Sequence, residues 1–147
     1  MEYVIEKLNI ENYSKSNKVW NMKNCPFTDK FKEQVANGTR DAYLMKMNGR
    51  YTASCDLVYD YGEYTEKNIK VYLSRLIVKK EYRNIGIGQE LLKYMITLCK
   101  EKGYRKITVG VDTDNLNAVH IYKKFGFAIY ETDTDEYGEY YKMIKEL

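Results

Sequence analysis

The chain has 147 residues, a length suited to one compact domain with a core of its own. Hydrophobic residues make up 44% and charged residues 31%, a balance typical of globular proteins rather than of disordered chains. The formal charge of +3 combines 24 basic with 21 acidic residues, which argues against the clustered basic surface of a nucleic-acid-binding protein. We therefore expect a single domain over residues 1–147 and no nucleic-acid partner.

Signals for export or membrane insertion are not evident in the sequence. No apolar run approaches the roughly 18 residues of a membrane span, and the first residues lack a basic segment followed by an apolar core. The three cysteines, Cys25, Cys55 and Cys99, are odd in number and widely spaced, which fits neither a disulfide framework nor a zinc site. We expect a cytoplasmic protein with reduced thiols, no membrane association and no metal, which acts as a monomer or homodimer.

The first half of the chain is predicted to contain three strands and one or two short helices. Residues 2–8 alternate like a strand, and scattered apolar residues over 10–36 predict the helices, which end near Gly38. Two β-rich runs follow, and Asn48-Gly49 between them suits the positive backbone angles of a tight hairpin turn. The predicted hairpin strands cover residues 41–46 and 50–59.

The second half is predicted to alternate strands and helices. A central strand with β-branched and aromatic residues precedes a helix whose apolar residues share one face and which stops at Gly103. A further strand is followed by a short helix, for which Asn115 is a good capping residue, and by two final strands. This order predicts a mixed α/β sheet with helices on its faces. The predicted ranges are 69–78, 86–102, 107–111, 115–125, 127–132 and 139–144.

A glycine-containing turn joins the central strand to the long helix, with the sequence Arg83-Asn84-Ile85-Gly86-Ile87-Gly88. The first turn of a helix has backbone amides without partners and carries partial positive charge. Gly86 and Gly88 permit close approach of a ligand, and Arg83 can donate hydrogen bonds to phosphate oxygens. The turn therefore predicts an anion site suited to a pyrophosphate, although such glycines can also serve only a tight turn.

Two common nucleotide-binding motifs do not match this turn. No Gly-Lys-Ser/Thr follows, which excludes the phosphate loop of nucleotide hydrolases, and Gly88 continues with Gln89-Glu90-Leu91, which excludes the dinucleotide fingerprint. The pattern that does match is Arg83-x-x-Gly86-x-Gly88 after a strand and before an amphipathic helix. It resembles the acetyl-coenzyme A (acetyl-CoA) signature of the GNAT-superfamily N-acetyltransferases.

A second segment carries the same resemblance. Asn115-Leu116-Asn117-Ala118-Val119-His120-Ile121-Tyr122-Lys123-Lys124-Phe125-Gly126-Phe127 is similar to the family's other motif, Asn-x-x-Ala-x-x-x-Tyr ending in Gly-Phe. The two motifs occur in the family's order, and the detailed resemblance covers about Tyr72 to Glu131. The resemblance implies a three-layer fold, with a central mixed sheet of six to seven strands and helices on both faces. It also implies transfer of an acetyl group from acetyl-CoA to a primary amine.

The resemblance further implies where the cofactor lies. In the family, two parallel strands splay apart and leave backbone groups free for the pantetheine arm; here these strands end at Val78 and near Val111. The amides that follow hold the pyrophosphate, and one face of the second helix adds two side chains. The implied cofactor residues are Leu76, Ile77, Val78, Arg83, Asn84, Ile85, Gly86, Ile87, Gly88, Gln89, Asn115 and Tyr122.

Tyr122 is the candidate catalytic acid. It lies seven residues after Asn115, two helical turns along, so both side chains lie on one helix face. Attack of an amine on a thioester expels a thiolate, which needs a proton, and a tyrosine with a pKa of about 10 is protonated at neutral pH. Considered without the motif, Tyr122 is one of 16 tyrosines and would be expected to pack its helix against the sheet.

The sequence leaves several groups open for removal of the proton of the amine. Many members of the family place a glutamate four residues before the position that matches Val78, and this sequence has Ser74 there. A serine cannot act alone as that base. Three alternatives remain: Ser74 orders a water that relays the proton, a carboxylate such as Asp56 or Glu63 does so, or the amine binds already neutral.

The acceptor is suggested by an acidic, tyrosine-rich stretch at residues 55–66. We expect Asp56, Glu63 and Tyr72 to bind the substrate, since carboxylates and aromatic faces attract a cationic amine. An ordinary solvated hairpin would have the same composition. The first expectation is a small polar or cationic amine, and a protein N-terminus or lysine is the second. The non-enzymatic alternative is an acyl-CoA sensor or interaction module that has lost acceptor chemistry.

Overall fold

Seven strands form one mixed sheet in the computed structural model, which describes residues 1–147. The sheet order is β1-β2-β3-β4-β5-β7-β6, and only β4 and β5 are parallel neighbours. The predicted mixed sheet is therefore confirmed, with seven strands. The strands are β1 (Val4–Lys7), β2 (Arg40–Met47), β3 (Arg50–Val58), β4 (Lys70–Val78), β5 (Lys106–Asp112), β6 (Ala128–Asp135) and β7 (Gly138–Glu146).

Three α-helices accompany the sheet: α1 (Thr28–Asn37), α2 (Ile87–Glu101) and α3 (Leu116–Lys124). The segment before α1 forms two short 3-10 helices at Tyr13–Lys18 and Met22–Asn24. As predicted, α1 ends at a glycine, Gly38, which has a left-handed φ of 82°. The structure contains no helix that could span a lipid bilayer.

The structure confirms the predicted hairpin turn, the cap of α3 and the end of α2. Asn48 and Gly49 have φ angles of 50° and 76°, so the β2–β3 hairpin turns at the predicted dipeptide. Asn115 caps α3, because its side-chain oxygen accepts a 3.2 Å hydrogen bond from the N–H of Ala118. Gly103 has a φ of 88° where α2 ends.

Alternate residues of β2 face two separate cores. Tyr43 and Met45 belong to a cluster of 20 buried residues that also includes side chains of α2 and α3. Ala42 and Leu44 belong to a cluster of 7 buried residues formed with α1 and the 3-10 helices. Helices therefore cover both faces of the sheet, as predicted. Cys99 of α2 is fully buried in the larger core.

The parallel pair at the centre of the sheet is short. The pairing of β4 with β5 ends where Tyr72 lies opposite Thr108, although β4 continues to Val78. Beyond Tyr72 the two strands separate, and the edge of β4 that faces β5 is left without strand partners. This is the splay that the family resemblance implied.

A β-bulge lies in β4 just beyond that point. Between the pairs Asp56↔Ser74 and Ser54↔Ile77, β3 contributes one residue and β4 contributes two, Arg75 and Leu76. Arg75 has a left-handed φ of 57°. Because of the bulge, the consecutive side chains of Ser74 and Arg75 lie on the same face of the sheet. Ser74 contacts Arg40, whose guanidinium lies over the ring of Phe31 in α1, and Arg75 lies over the same ring.

Candidate active site

A cleft of about 620 Å³ lies beside the free end of β4. This volume is in the range of small-molecule sites, roughly 300–1,000 Å³. Its walls come from the end of β4, the glycine turn with the start of α2, and one face of α3. The lining residues are Leu76, Ile77, Val78, Tyr82, Arg83, Asn84, Gly86, Ile87, Gly88, Gln89, Asn115, Asn117, Ala118, Ile121 and Tyr122.

All of the predicted cofactor residues except Ile85 line this cleft, and Ile85 is 61% exposed. Some lining residues, on α3 and just before the glycine turn, were not predicted from the sequence. Ala118 lies three residues after Asn115 and four before Tyr122, so helical spacing alone would have identified it. The missed residues are Tyr82, Asn117, Ala118 and Ile121.

The start of α2 provides free backbone donors. The N–H of Glu90 donates to the carbonyl of Gly86 at 3.0 Å, so the preceding amides at residues 87–89 have no partner within the helix. Gly86 has a φ of 89°, and a Cβ placed there would meet no atom within 4 Å. At Gly88 a Cβ would stand 3.2 Å from the Val78 side chain, so this glycine lets α2 approach β4 closely. We call the free amides at residues 87–89 the cradle. It borders open space at Gly86 and packs against Val78 at Gly88.

Charged side chains border the cradle. The Nε of Arg83 donates a 2.8 Å hydrogen bond to the carbonyl of Val78, which ties the turn to the strand and leaves the terminal guanidinium nitrogens available. Lys124 on α3 donates a 2.9 Å hydrogen bond to the side-chain oxygen of Gln89 on α2. These contacts join the three walls of the cleft and place positive charge beside the free amides.

Tyr122 is 8% exposed and lines the cleft from α3. Its ring packs edge-on against Phe127, with centroids 5.3 Å apart. Burial raises the pKa of Tyr122 above its ordinary value, with smaller contributions from Cys55 and Tyr72. The hydroxyl is therefore protonated at neutral pH and remains so in mildly alkaline solution.

Three tyrosines form an aromatic cluster where β4 and β5 separate. The ring of Tyr72 lies 4.9 Å from Tyr61 and 4.8 Å from Tyr64, and the latter two are stacked at 5.1 Å. The hydroxyl of Tyr72 would be 3.1 Å from a Cβ at residue 110, a distance that Gly110 avoids. Tyr72 also contributes to the raised pKa of Tyr122, which indicates that the cluster lies near the candidate acid. The three tyrosines form an aromatic wall at this point.

Asp56, one of the predicted substrate residues, is 5% exposed and lies in an ion pair. Arg40 donates a 2.7 Å hydrogen bond from Nη1 to the carboxylate of Asp56, and the same nitrogen lies 3.4 Å from the hydroxyl oxygen of Ser74. Burial raises the pKa of Asp56 to about 6, although Arg40 acts in the opposite direction. The structure thus places Asp56 directly opposite Ser74, with its charge already balanced.

Glu63, the other predicted substrate carboxylate, contacts a lysine of the chain. Lys142 is 5% exposed, and its ammonium group lies within ion-pair distance of Glu63, Glu131 and Asp133. Hydrogen bonds to Glu63 and Glu131 raise the pKa of Lys142 above its ordinary value. The structure therefore does not bring Asp56 and Glu63 to a common cation site; each contacts a different cation of the protein.

Comparison with known proteins agrees with the sequence motifs. Residues 5–127 match the sequence profile of the acetyltransferase (GNAT) family. The chain is 31% identical over 84 residues to N-alpha-acetyltransferase 50 of Danio rerio, covering 56% of this chain and 48% of that protein. It is 33% identical over 90 residues to a probable spermine N(1)-acetyltransferase of Bacillus subtilis subsp. natto (strain BEST195), covering 59% and 58%. The chain thus spans about half the length of these curated relatives.

The fold is also similar to that of a solved relative. Arabidopsis thaliana Naa50, in complex with the bisubstrate analogue CoA-Ac-MVNAL, superposes with a TM-score of 0.79 over 100% of both chains at 23% identity. At this identity the similarity concerns the fold. The family profile covers most of the sheet, the glycine turn and α3, which together form the cleft. This chain belongs to the acetyltransferase (GNAT) family.

Proposed function

We propose that this protein is an N-acetyltransferase that transfers the acetyl group of acetyl-CoA to a primary amine by direct attack. The observation that carries the proposal is a single cleft containing the free amides of α2, Arg83 and the buried hydroxyl of Tyr122. Family membership supports the activity. A protein of the same fold bound to a CoA-containing analogue supports the choice of acetyl-CoA.

The residues of the cleft fit acetyl-CoA. The amides at 87–89 and the guanidinium of Arg83 suit a diphosphate, and the open space above Gly86 permits its approach. The unpaired edge of β4 near Val78 offers backbone groups to an amide-containing arm. Asn115 and Tyr122 border the same cleft from α3. When bound, acetyl-CoA supplies an activated thioester carbonyl.

Tyr122 would act as the hydrogen-bond donor to the departing sulfur. Its raised pKa keeps the hydroxyl protonated at neutral pH. A free thiol ionises near pH 8.5, so complete proton transfer from Tyr122 would run against the difference in pKa. A hydrogen bond that strengthens as negative charge develops on the sulfur requires no such transfer. This role depends on the position of the hydroxyl rather than on its acidity.

We infer that Ser74 orders the water that accepts the proton of the amine. Its side chain lies on the same face of the sheet as Tyr72, two residues further along β4. Arg40 approaches the Ser74 hydroxyl oxygen as a donor, which fixes the orientation of that oxygen. Asp56 and Glu63 are both held in ion pairs, which makes either carboxylate a less available base.

For the acceptor, we propose a small polar amine first. A relative named as a probable spermine N(1)-acetyltransferase and the aromatic wall of Tyr61, Tyr64 and Tyr72 support this choice. The internal pairing of Asp56 and Glu63 weakens the case for a polycation in particular. The second candidate is a protein N-terminus or lysine, favoured by 31% identity to N-alpha-acetyltransferase 50.

The setting of the activity is also part of the proposal. Residues 1–147 would form a single acetyltransferase domain, because one sheet contains strands from both ends of the chain, β1 and β7. All three cysteines are free, which suits the reducing cytoplasm. The protein would work there as a monomer or homodimer.

The test is a turnover assay on the purified chain. Acetyl-CoA is incubated with polyamines, aminoglycosides, amino acids and peptide amines, thiol release is followed, and products are identified by mass spectrometry. At least one amine is expected to be acetylated faster than acetyl-CoA is hydrolysed. Tight acetyl-CoA binding without turnover of any amine would instead indicate a sensor or interaction module.

A further inference from the structure

The bulge in β4 holds a half-buried arginine for which the structure provides no anion. The guanidinium of Arg75 lies 4.4 Å from the ring centroid of Trp20 and 5.3 Å from that of Phe31. Its Nε is buried without a hydrogen-bond partner. No ion pair of the structure includes Arg75. A guanidinium that is partly removed from water without a partner is unfavourable unless a ligand supplies one.

The neighbouring arginine shows what Arg75 lacks. Arg40 lies 4.0 Å from the ring centroid of the same Phe31, but it also contacts Asp56 at 2.7 Å and Gln34 at 2.8 Å. The layer around Phe31 thus contains two guanidinium groups, and its one contacting carboxylate is used by Arg40. Arg75 therefore contributes an unbalanced positive charge.

An uncharged donor lies in the same layer. Tyr13 is 1% exposed, belongs to the same core cluster as Phe31, and its hydroxyl has no hydrogen-bond partner. The charges of Asp56, Arg40 and Arg75 all contribute to the pKa of this hydroxyl, so Tyr13 lies near these three residues. The layer thus contains two buried donors without a partner, the Nε of Arg75 and the hydroxyl of Tyr13, and is short of acceptor oxygens.

The backbone at Arg75 is also unusual. A φ of 57° is disfavoured for an arginine, and glycine or asparagine would adopt it more readily. Strained backbone of this kind is concentrated at functional sites, and bulges often redirect a side chain beside an active site. Here the bulge places Arg75 beside Ser74 on the face that carries Tyr72.

Arg75 is close to the place where the strands separate. It lies three residues beyond Tyr72, the last residue in the parallel pairing, and directly precedes Leu76, which lines the cleft. At about 3.3 Å per residue, Arg75 is within about 10 Å of Tyr72 along the strand. A compact acceptor that enters over this face, with its amine at the separated strands, would have its other end near the guanidinium.

We propose that Arg75 binds a carboxylate carried by the acceptor, which makes the acceptor an amino acid or a similarly compact amine with a carboxylate group. A carboxylate matches the planar fork of a guanidinium and would neutralise its charge. The inference rests on the proposed N-acetyltransferase function for the role of the bound molecule. Carboxylate binding itself can be measured without turnover.

Binding is tested through Trp20, the single tryptophan of the chain, whose ring lies against Arg75. The 147-residue chain with coenzyme A is titrated with L-amino acids and with the matching carboxamides, in which a neutral amide replaces the carboxylate. We expect at least one amino acid to change the fluorescence of Trp20 saturably, with its carboxamide binding at least about tenfold more weakly. The variant Arg75→Asn, which retains a side chain tolerated at left-handed φ, is expected to lose this difference.

Turnover gives a second readout with the same pairs. The amine of a carboxamide is less basic and so more often neutral, which favours its acetylation; a preference for the amino acid must therefore come from the carboxylate. We expect wild type to prefer the amino acid by about tenfold or more in kcat/KM, and the ratio to fall to about one or below in Arg75→Asn. The matched control Arg50→Asn, at an exposed arginine at the start of β3, should retain the wild-type ratio.

Each outcome decides between explanations. Equal binding and turnover of amino acids and carboxamides, or a preference that persists in Arg75→Asn, would overturn the inference. If Arg75→Asn lowers the melting temperature but leaves the kcat/KM ratio of amino acid to carboxamide unchanged, Arg75 has only a structural role through its stacking on Trp20. A carboxylate-dependent response of Trp20 without acetylation of any amine would refute the proposed function and leave the carboxylate site. Acetylation of an amine without a preference for amino acids over carboxamides would support the proposed function and refute the carboxylate site.

Discussion

Arg40 on β2 and Asp56 on β3 form an ion pair of 2.7 Å in which the two side chains are only 5% and 6% exposed. The pair lies on the face of the sheet that carries Ser74, within the layer formed by α1. Its charges are balanced by each other rather than by solvent or by an acceptor. This places a stability determinant next to the proposed proton path.

Removal of one partner of this pair is expected to be strongly destabilising. Arg40→Met leaves a buried carboxylate without compensation, and the free energy of unfolding should fall by about 3 to 5 kcal/mol. The double variant Arg40→Met/Asp56→Leu removes both charges and should recover much of that loss. Urea unfolding measures both effects, with Lys7→Met at an exposed ion pair as the control that changes little. A double variant no more stable than Arg40→Met would contradict this account.

Asp56 should also give the stability a particular pH dependence. Burial raises its pKa from 3.8 to about 6, so the folded state binds the proton more strongly than the unfolded state between these values. The stabilisation from this group is present below about pH 4 and is lost as the pH rises through 6. The free energy of unfolding of wild type, relative to Asp56→Asn, should therefore decline from pH 4 to 7. A rise over the same range would show that attraction to Arg40 outweighs burial.

Gly86→Trp is expected to abolish binding of acetyl-CoA while the protein remains folded. The side chain would project into open space, where a Cβ meets no atom within 4 Å, and so would block the free amides of α2 rather than the core. Gly103→Trp is a matched control, because Gly103 has a φ of 88° at the other end of the same helix and is equally unobstructed. Isothermal titration calorimetry compares the two variants. Unchanged affinity in Gly86→Trp would remove the turn from the proposed site.

Tyr122→Phe removes a hydrogen-bond donor to the developing charge and should slow acetyl transfer by about 100-fold, with little effect on the affinity for acetyl-CoA. The variant keeps the ring that packs on Phe127 and removes only the hydroxyl. Because burial raises the pKa of Tyr122, the rate ratio of wild type to variant should stay constant up to mildly alkaline pH. Single-turnover kinetics measure the ratio, with Tyr104→Phe, stacked on Tyr59, as the control. A wild-type rate in Tyr122→Phe would refute its role as donor.

Ser74→Ala is expected to lower kcat/KM by about tenfold at neutral pH and much less at a pH where the free amine is neutral. The reason is that an ordered water is needed only while the amine carries a proton to be removed. Ser54→Ala removes another buried hydroxyl on the neighbouring strand, one without a hydrogen-bond partner, and should change neither value. Rate losses of equal size at every pH would assign Ser74 a structural role.

Features that depend on a few adjacent residues could be predicted from the sequence. The hairpin turn at Asn48-Gly49, the left-handed end of α1 at Gly38 and the cap of α3 at Asn115 each follow from the conformational preferences of the residue concerned. Most of the cleft lining was implied by the resemblance of two short segments, and of the strand before them, to the motifs of the family. Helical spacing then placed Asn115 and Tyr122 on one face.

Features that depend on partners across the sheet could not be predicted in this way. Arg40 is 16 residues from Asp56, and Lys142 is 79 residues from Glu63, so the sequence alone left both carboxylates available for a substrate. The strand register and the bulge at Arg75 decided these pairings, because they determine which side chains share a face. The sequence by itself determined the glycine turn and the free amides at the start of α2, through local backbone geometry. Only the tertiary structure decided which charges remain free to meet an acceptor, because burial and ion pairing depend on distant strands.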